Sequence, residues 1–243
     1  MEQDWKPYCG AAPVPGDWLA AWNLDPWLLM AAAGGSLAWR LLWRVNARQD
    51  SAGLLALGCF LLLYVSPLCA LSSALFTARV VHHVLLVTVL APLLVVAADF
   101  RRDAVPGTLA AWTGLQAVVL WTWHAPPLYA AALSSNGMFW VMQASLTASA
   151  AVWWLKVLRA PAAASVAALL GAMVLMGALG ALITFAGRPL YQPHWLTTWP
   201  WGLSPLEDQQ IGGIIMWAPA AAVYLTAALA ILYRSLAREG AAR

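Results

Sequence analysis

The sequence is short of charge. Only 9% of its 243 residues are Asp, Glu, Lys or Arg, whereas 63% are hydrophobic. A soluble domain carries roughly 25% charged residues, so this composition excludes an ordinary soluble globule. Lysine is nearly absent: Lys6 and Lys156 are the only two, and neither lies in the middle of an apolar run. That excludes a retinal protein, which needs a lysine in mid-span. The three cysteines, Cys9, Cys59 and Cys69, sit at no paired spacing. The sequence therefore offers neither a disulfide framework nor a CxxC motif. A basic segment followed by an apolar run is missing from the polar N-terminus MEQDWKPYCGAAPVPGDW, which argues against a cleavable signal peptide. A net charge of +3 is too small to suggest a nucleic-acid partner.

What is present is a series of long apolar runs. A bilayer span needs about 20 apolar residues, and seven runs bounded by charge, Pro or Gly meet that description. They are Pro26–Val45, Ala52–Leu75, Val80–Ala98, Gly107–Trp123, Met138–Leu158, Ala162–Phe185 and Ile211–Tyr233. None alternates like a strand. The expected fold is an all-α integral membrane protein, a seven-transmembrane helical bundle. Residues 1–25 form an outer tail, 26–233 the membrane domain with an outer loop at 186–210, and 234–243 a cytoplasmic tail.

Orientation follows from the basic residues. Arg40, Arg44, Arg48, Arg101, Arg102, Lys156, Arg159, Arg234, Arg238 and Arg243 fall on one side, against Lys6, Arg79 and Arg188 on the other. The bias predicts N-out and C-in. Pro67, Pro92 and Pro219 lie inside spans and predict kinks. Gly171, Gly177 and Gly180 allow close helix approach. The 16 Trp residues suit interfacial belts. In the outer loop, Tyr191, Trp195, Trp199 and Trp201 are expected to form an ordered cap.

With that topology all four histidines lie at the outer edge: His82 and His83 open span 3, His124 ends span 4, and His194 is in the outer loop. At that depth the sequence also places Cys69, Met138, Met142, Met216, Asp208, Gln209 and Gln210. Imidazole, thiolate and thioether together suit copper, particularly Cu(I), better than a hard cation. Zinc through His and Asp stays open, and the carboxylate spacing of a calcium or magnesium site is missing. Each group also has a plain structural reading. A helix-end histidine hydrogen-bonds a headgroup or carbonyl, buried methionines fill space, and Cys59 packs in mid-span. His82 and His83 are about 100° apart on a helix, which predicts that only one faces the bundle. Arg79 shares their helical face and is expected at a lipid phosphate or Asp208.

Three segments carry a resemblance: "ARVVHHVLLVTVLAPLL", "WTWHAPPLYAAAL" and "SPLEDQQIGGIIMW". They resemble the signature segments of the CtaG-type cytochrome c oxidase assembly family, in order and spacing over about residues 60–233. The resemblance implies a seven-span protein of the bacterial inner membrane that helps build the copper-containing subunit of a haem–copper oxidase, without catalytic turnover. It implies functional roles for His83, His124, Asp208, Gln209, Met216 and Trp217. This chain departs from the family where it has Arg79, Phe139, Met142 and Gln143 in place of further histidines and an acidic residue. The resulting expectation is a Cu(I) site on His83 and His124 with a third ligand from Met142, Met216 or Cys69. His82, His194, Arg79, Asp208, Gln209 and Trp217 support it, with Asp208 or Gln209 accepting a hydrogen bond from a ligating imidazole. The expected partners are the oxidase's copper subunit, a copper donor protein and membrane lipids, with no nucleic acid. Two alternatives are a haem-binding membrane cytochrome with His83 and His124 as axial ligands, and a purely structural docking partner that uses the Trp-rich loop.

Overall fold

The computed structural model describes Trp5 and residues 7–42, 46–98 and 105–241. Lys6, Arg44, Arg101, Arg102, Arg243 and most of the 3–4 connection lie outside them. Among the described residues the chain is helical with no strand. Its helices are α1 (Pro26–Leu42), α2 (Ala47–Tyr64), α3 (Pro67–Ala74), α4 (Phe76–Leu85), α5 (Ala91–Ala98), α6 (Leu109–His124), α7 (Pro126–Ser134), α8 (Asn136–Val157), α9 (Ala162–Thr184) and α10 (Pro205–Ala241).

Among the described residues, three helical stretches are long and apolar enough to cross a membrane: Phe76–Ala98, Ala162–Thr184 and Pro205–Gly240. The count rises to four if the bent pair α2 and α3 makes one span. These support a membrane protein, while the seven-span count and its orientation are not established by helix length and composition. The expected fourth span is a helix of 16 residues, just under the usual length of a crossing.

Local sequence explains the helix ends. Asn46 and Gln49 form a reciprocal capping box at α2, and Ser204 and Glu207 do the same at α10. Thr108 caps α6 and Ser135 caps α8. Ser66 caps α3, with Pro67 in its first turn, so the expected second span breaks there by 42° instead of kinking. Pro92 acts differently. Between α4 and α5 the helix widens into a π turn, Leu86–Leu90, in which the Ala91 N–H donates to the Leu86 carbonyl. In that register the donor to the Val87 carbonyl would come from residue 92, and proline has no N–H. Trp154 Nε1–H donates to Val87 O instead, at 2.8 Å. Pro219 lies inside α10, which continues past it to Ala241, so the expected break between residues 233 and 234 is not a helix end.

The most extensive packing is between α9 and α10. A Cβ on Gly180 would stand 2.7 Å from the Gly213 carbonyl and 2.9 Å from the Trp217 nitrogen. A Cβ on Gly212 would meet the Phe76 ring at 2.7 Å. Glycine at these positions lets α10 press against α9 on one side and α4 on the other. Helices α4 and α5 lie against α2, α8 and α10, whereas α6 lies against α8 and α9. Spans 3 and 4 are therefore not packed neighbours along their length, although only a short connection separates them in sequence. The N-terminal segment is not a loose tail either. Cys9 is buried and disulfide-bonded to Cys69 of α3, with 5.2 Å between the Cα atoms. Tyr8 stacks on Phe139 and meets Trp140 edge-on. The only free cysteine among the described residues is Cys59, half-buried in α2.

Candidate functional site

The histidines lie toward one end of the bundle, in the last turn of α4, at the end of α6 and in the connection after α9. His82 and His83 are both buried, at 0% and 1% exposure. The expectation that only one would face inward fails because the buried face of α4 is wide enough to take in both. His82 turns to Tyr64 of α2, with ring centroids 5.2 Å apart, and His83 turns to His124 of α6, with centroids 5.4 Å apart and rings nearly perpendicular. The two neighbouring imidazoles are themselves 5.9 Å apart. Tyr64 donates to Gln143 Oε1 of α8 at 3.2 Å. A continuous polar row, His124–His83–His82–Tyr64–Gln143, thus crosses an otherwise apolar interior.

The hydrogen bonding of this row is incomplete. Both ring nitrogens of His82 and His83 lack a partner, as do His124 Nε2 and Gln143 Nε2. Buried polar groups are ordinarily satisfied, so such a concentration points to a ligand. His124 shows how a histidine is prepared for one. Its Nδ1 lies 2.7 Å from the Leu120 carbonyl one turn back. A carbonyl accepts only from an N–H, which assigns the proton to Nδ1 and leaves the Nε2 lone pair available. The site can therefore offer neutral imidazole nitrogens to a metal ion. With metal–nitrogen bonds of about 2.0–2.1 Å, two rings sharing one ion have centroids within roughly 6 Å, as His83 and His124 do. No group of three or more His, Cys, Asp or Glu side chains is placed to hold a metal among the described residues. Any third protein ligand has to be of another type.

The proposed supporting residues separate into distinct roles. Asp208 does not reach an imidazole. Its carboxylate accepts from the backbone N–H of Phe76 (2.6 Å) and of Thr77 (3.1 Å), while the Thr77 hydroxyl donates to its carbonyl (2.8 Å). The residue before α4, Leu75, has no capping side chain, and α10 supplies the cap from across the bundle. An anion at a helix N-terminus is favourable, and here it fixes the helix that carries both histidines. Gln209 is also engaged elsewhere. It accepts from Leu190 N–H and donates to the carbonyls of Ile183 and Arg188, holding the connection after α9. Trp217 lies half-exposed against Phe185 and the glycines of α9.

Arg79 is 0% exposed, so it does not sit at a lipid phosphate, and among the described residues no acceptor meets its three guanidinium nitrogens in good hydrogen-bond geometry, the Tyr129 hydroxyl lying nearby. Its guanidinium carbon is 5.5 Å from the centre of the Phe139 ring. Cys69 cannot serve as a thiolate while bonded to Cys9, which removes it from the ligand set in this state. Met142 and Met216 are both buried in the core.

His194 is buried at 1% exposure, with its Nε2 2.6 Å from the Tyr129 hydroxyl rather than at a headgroup or carbonyl. Burial first, and the Arg79 charge second, lower its pKa to about 3, against a weaker opposing contribution from the Ala74 backbone. In the connection 186–210 the buried members are Tyr191, Pro193, His194 and Thr198, while Trp195 and Trp199, expected in an ordered cap, stand exposed. Tyr191 stacks on Phe76 at 4.0 Å and donates to the His124 carbonyl at 3.0 Å. Sequence reasoning missed Tyr64, Tyr129 and Cys9. Tyr129 was visible in its position soon after His124, in "HAPPLY"; Tyr64 and Cys9 had no local signal.

These features define a class: a helical membrane protein with a buried histidine pair near one end. The family model for cytochrome c oxidase caa3 assembly factors (Caa3_CtaG) matches residues 109–238, a little over half of the chain. The chain belongs to that family. The matched region contains His124, Met142, His194, Asp208, Gln209, Met216 and Trp217, whereas Arg79, His82 and His83 lie before it. No curated protein and no solved structure gives a significant match to the chain.

Proposed function

We propose that this assembly factor handles Cu(I) for the copper-containing subunit of its oxidase at the outer face of the bacterial inner membrane, with His83 and His124 as the metal pair. The observation that carries the reading is their mutual placement. The rings are 5.4 Å apart, with no protein partner on His83 or on His124 Nε2. A third, soft ligand comes from Met142 or Met216, or from the molecule that delivers or receives the metal. Tyr129, Tyr191 and His194 cover the pair from the outer side. The Cys9–Cys69 disulfide at the same end favours an outer location, because such bonds persist in oxidising compartments and are rare in the cytosol.

The protein works by holding and passing cargo. Neutral imidazoles bind Cu(I) without adding negative charge, and transfer follows when a more strongly binding thiolate-bearing partner docks at that end. In cells, His83→Ala or His124→Ala is expected to leave the factor folded and the oxidase short of copper, with respiration lost and partly regained in excess copper. Normal copper content of the oxidase in both variants would overturn the reading. The visible spectrum of the purified factor tests the haem alternative directly, since bis-histidine haem gives a Soret band. Full rescue of oxidase assembly by the doubly substituted chain would favour the docking alternative.

A further inference from the structure

We propose that Arg79 is the seat of one monovalent anion, held inside the bundle next to the histidine row. A guanidinium presents five N–H donors and stays protonated in proteins. Here it is fully buried, and no described side chain or carbonyl accepts from Nε, Nη1 or Nη2. The groups around it do not neutralise it. Phe139 gives one aromatic face at 5.5 Å, which offsets only part of the loss of hydration. The Tyr129 hydroxyl, bonded to His194 Nε2, also lies near enough to turn its oxygen toward Arg79, but it is a neutral group and brings no negative charge. Asp208 has both carboxylate oxygens on the backbone N–H groups of Phe76 and Thr77. An unpaired buried cation is among the costliest arrangements in a protein, and more so in hydrocarbon. One anion on the guanidinium resolves it.

Arg79 stands one turn before His82 and His83 on α4, on the face they share. The second half of the inference rests on the copper reading: the anion is soft and becomes a ligand of the Cu(I) held by His83. Cu(I) on two neutral imidazoles keeps its full positive charge beside a second cation, and a shared anion lowers that repulsion. No electron transfer is involved; the anion donates a lone pair to copper while its charge faces the guanidinium. Chloride and thiolate share this chemistry.

The test begins with copper-free protein in lipid nanodiscs. Equilibrium binding of radiolabelled chloride should give one retained ion per chain, displaced by bromide. It should be lost in Arg79→Gln and kept in Arg79→Lys, with the melting temperature of each variant verifying its fold. No retained chloride in the native chain, or equal retention in a folded Arg79→Gln, overturns the anion site whatever copper does. Cu(I) is then added in bromide buffer, or in chloride-free buffer with glutathione, and copper X-ray absorption is recorded. A bromine neighbour in the first case assigns the free halide, and a sulfur neighbour unique to the second assigns a thiolate. Copper bound with neither neighbour overturns the shared ligand. Failure to bind copper at all counts against the copper reading and leaves the chloride result standing.

Discussion

The two ends of the bundle treat buried polar groups in opposite ways. At the end where α8 finishes, Lys156 is buried, and its ammonium donates to the carbonyls of Val105 and Gly107 at 3.0 and 2.7 Å. Ser165 donates to Val157 O, and Trp153 Nε1–H donates to the Thr113 hydroxyl. At the histidine end, Arg79, His82, His83, His124 Nε2 and Gln143 Nε2 are buried without partners. Gln116 and Tyr224 are the exceptions away from that end. The first pattern is what a fold needs for itself. The second carries a stability cost, the kind that functional sites commonly impose on a fold.

Variants can break or sharpen this contrast. The largest effect is expected from the disulfide. Cys9 and Cys69 are 60 residues apart, and releasing a loop of that order costs about 2–4 kcal/mol. The Cys9→Ser/Cys69→Ser variant should melt earlier in detergent and let the Tyr8 segment exchange amide hydrogens faster, with little change near Lys156. Acid comes next. His194 titrates at about 3 when folded, below its ordinary value of 6.5. The unfolded chain therefore takes up this proton first, and the stability His194 confers is present above pH 6.5 and falls as pH drops toward 3. The slope is roughly 1.4 kcal/mol per pH unit, and His194→Phe should flatten it in denaturant titrations between pH 6.5 and 4.5. An unchanged slope would contradict the buried, neutral His194.

Asp208→Ala leaves two N–H groups of α4 uncapped and should lower stability by about 1–3 kcal/mol, while Asp208→Asn keeps most of it. Because α4 carries the histidines, Asp208→Ala should also weaken copper binding. Lys156→Met strips the donor from two carbonyls and should lower stability by about 1–2 kcal/mol without touching copper. The smallest effect has the opposite sign. His82→Phe removes two unpartnered nitrogens and should leave the copper-free melting temperature unchanged or slightly raised. A large loss would mean that His82 has a structural partner.

Much of this arrangement was legible in the sequence, and the gaps have physical causes. Apolar runs bounded by charge, Pro or Gly revealed the helices, and the shared depth of His83 and His124 suggested their meeting. The disulfide was hidden because sequence spacing says nothing about a 60-residue closure. Asp208 was assigned the wrong partner because its role is a cap for a helix 132 residues away. Arg79 was sent to the lipid because helix-end arginines usually snorkel, whereas α4 packs against α3 and α10 and leaves only a stripe at Thr77, Val81 and Val84 half-exposed. The inward turn of both His82 and His83 was missed for the same reason. A buried face this wide takes in two residues about 100° apart.

The central claim is that His83 and His124 together form the copper site. It is tested most directly by Cu(I) stoichiometry, measured under reducing conditions on the folded native protein and on His83→Ala and His124→Ala. The account predicts one copper per native chain and none in either variant, with helical content unchanged in all three. Native-like copper binding in both variants would contradict it.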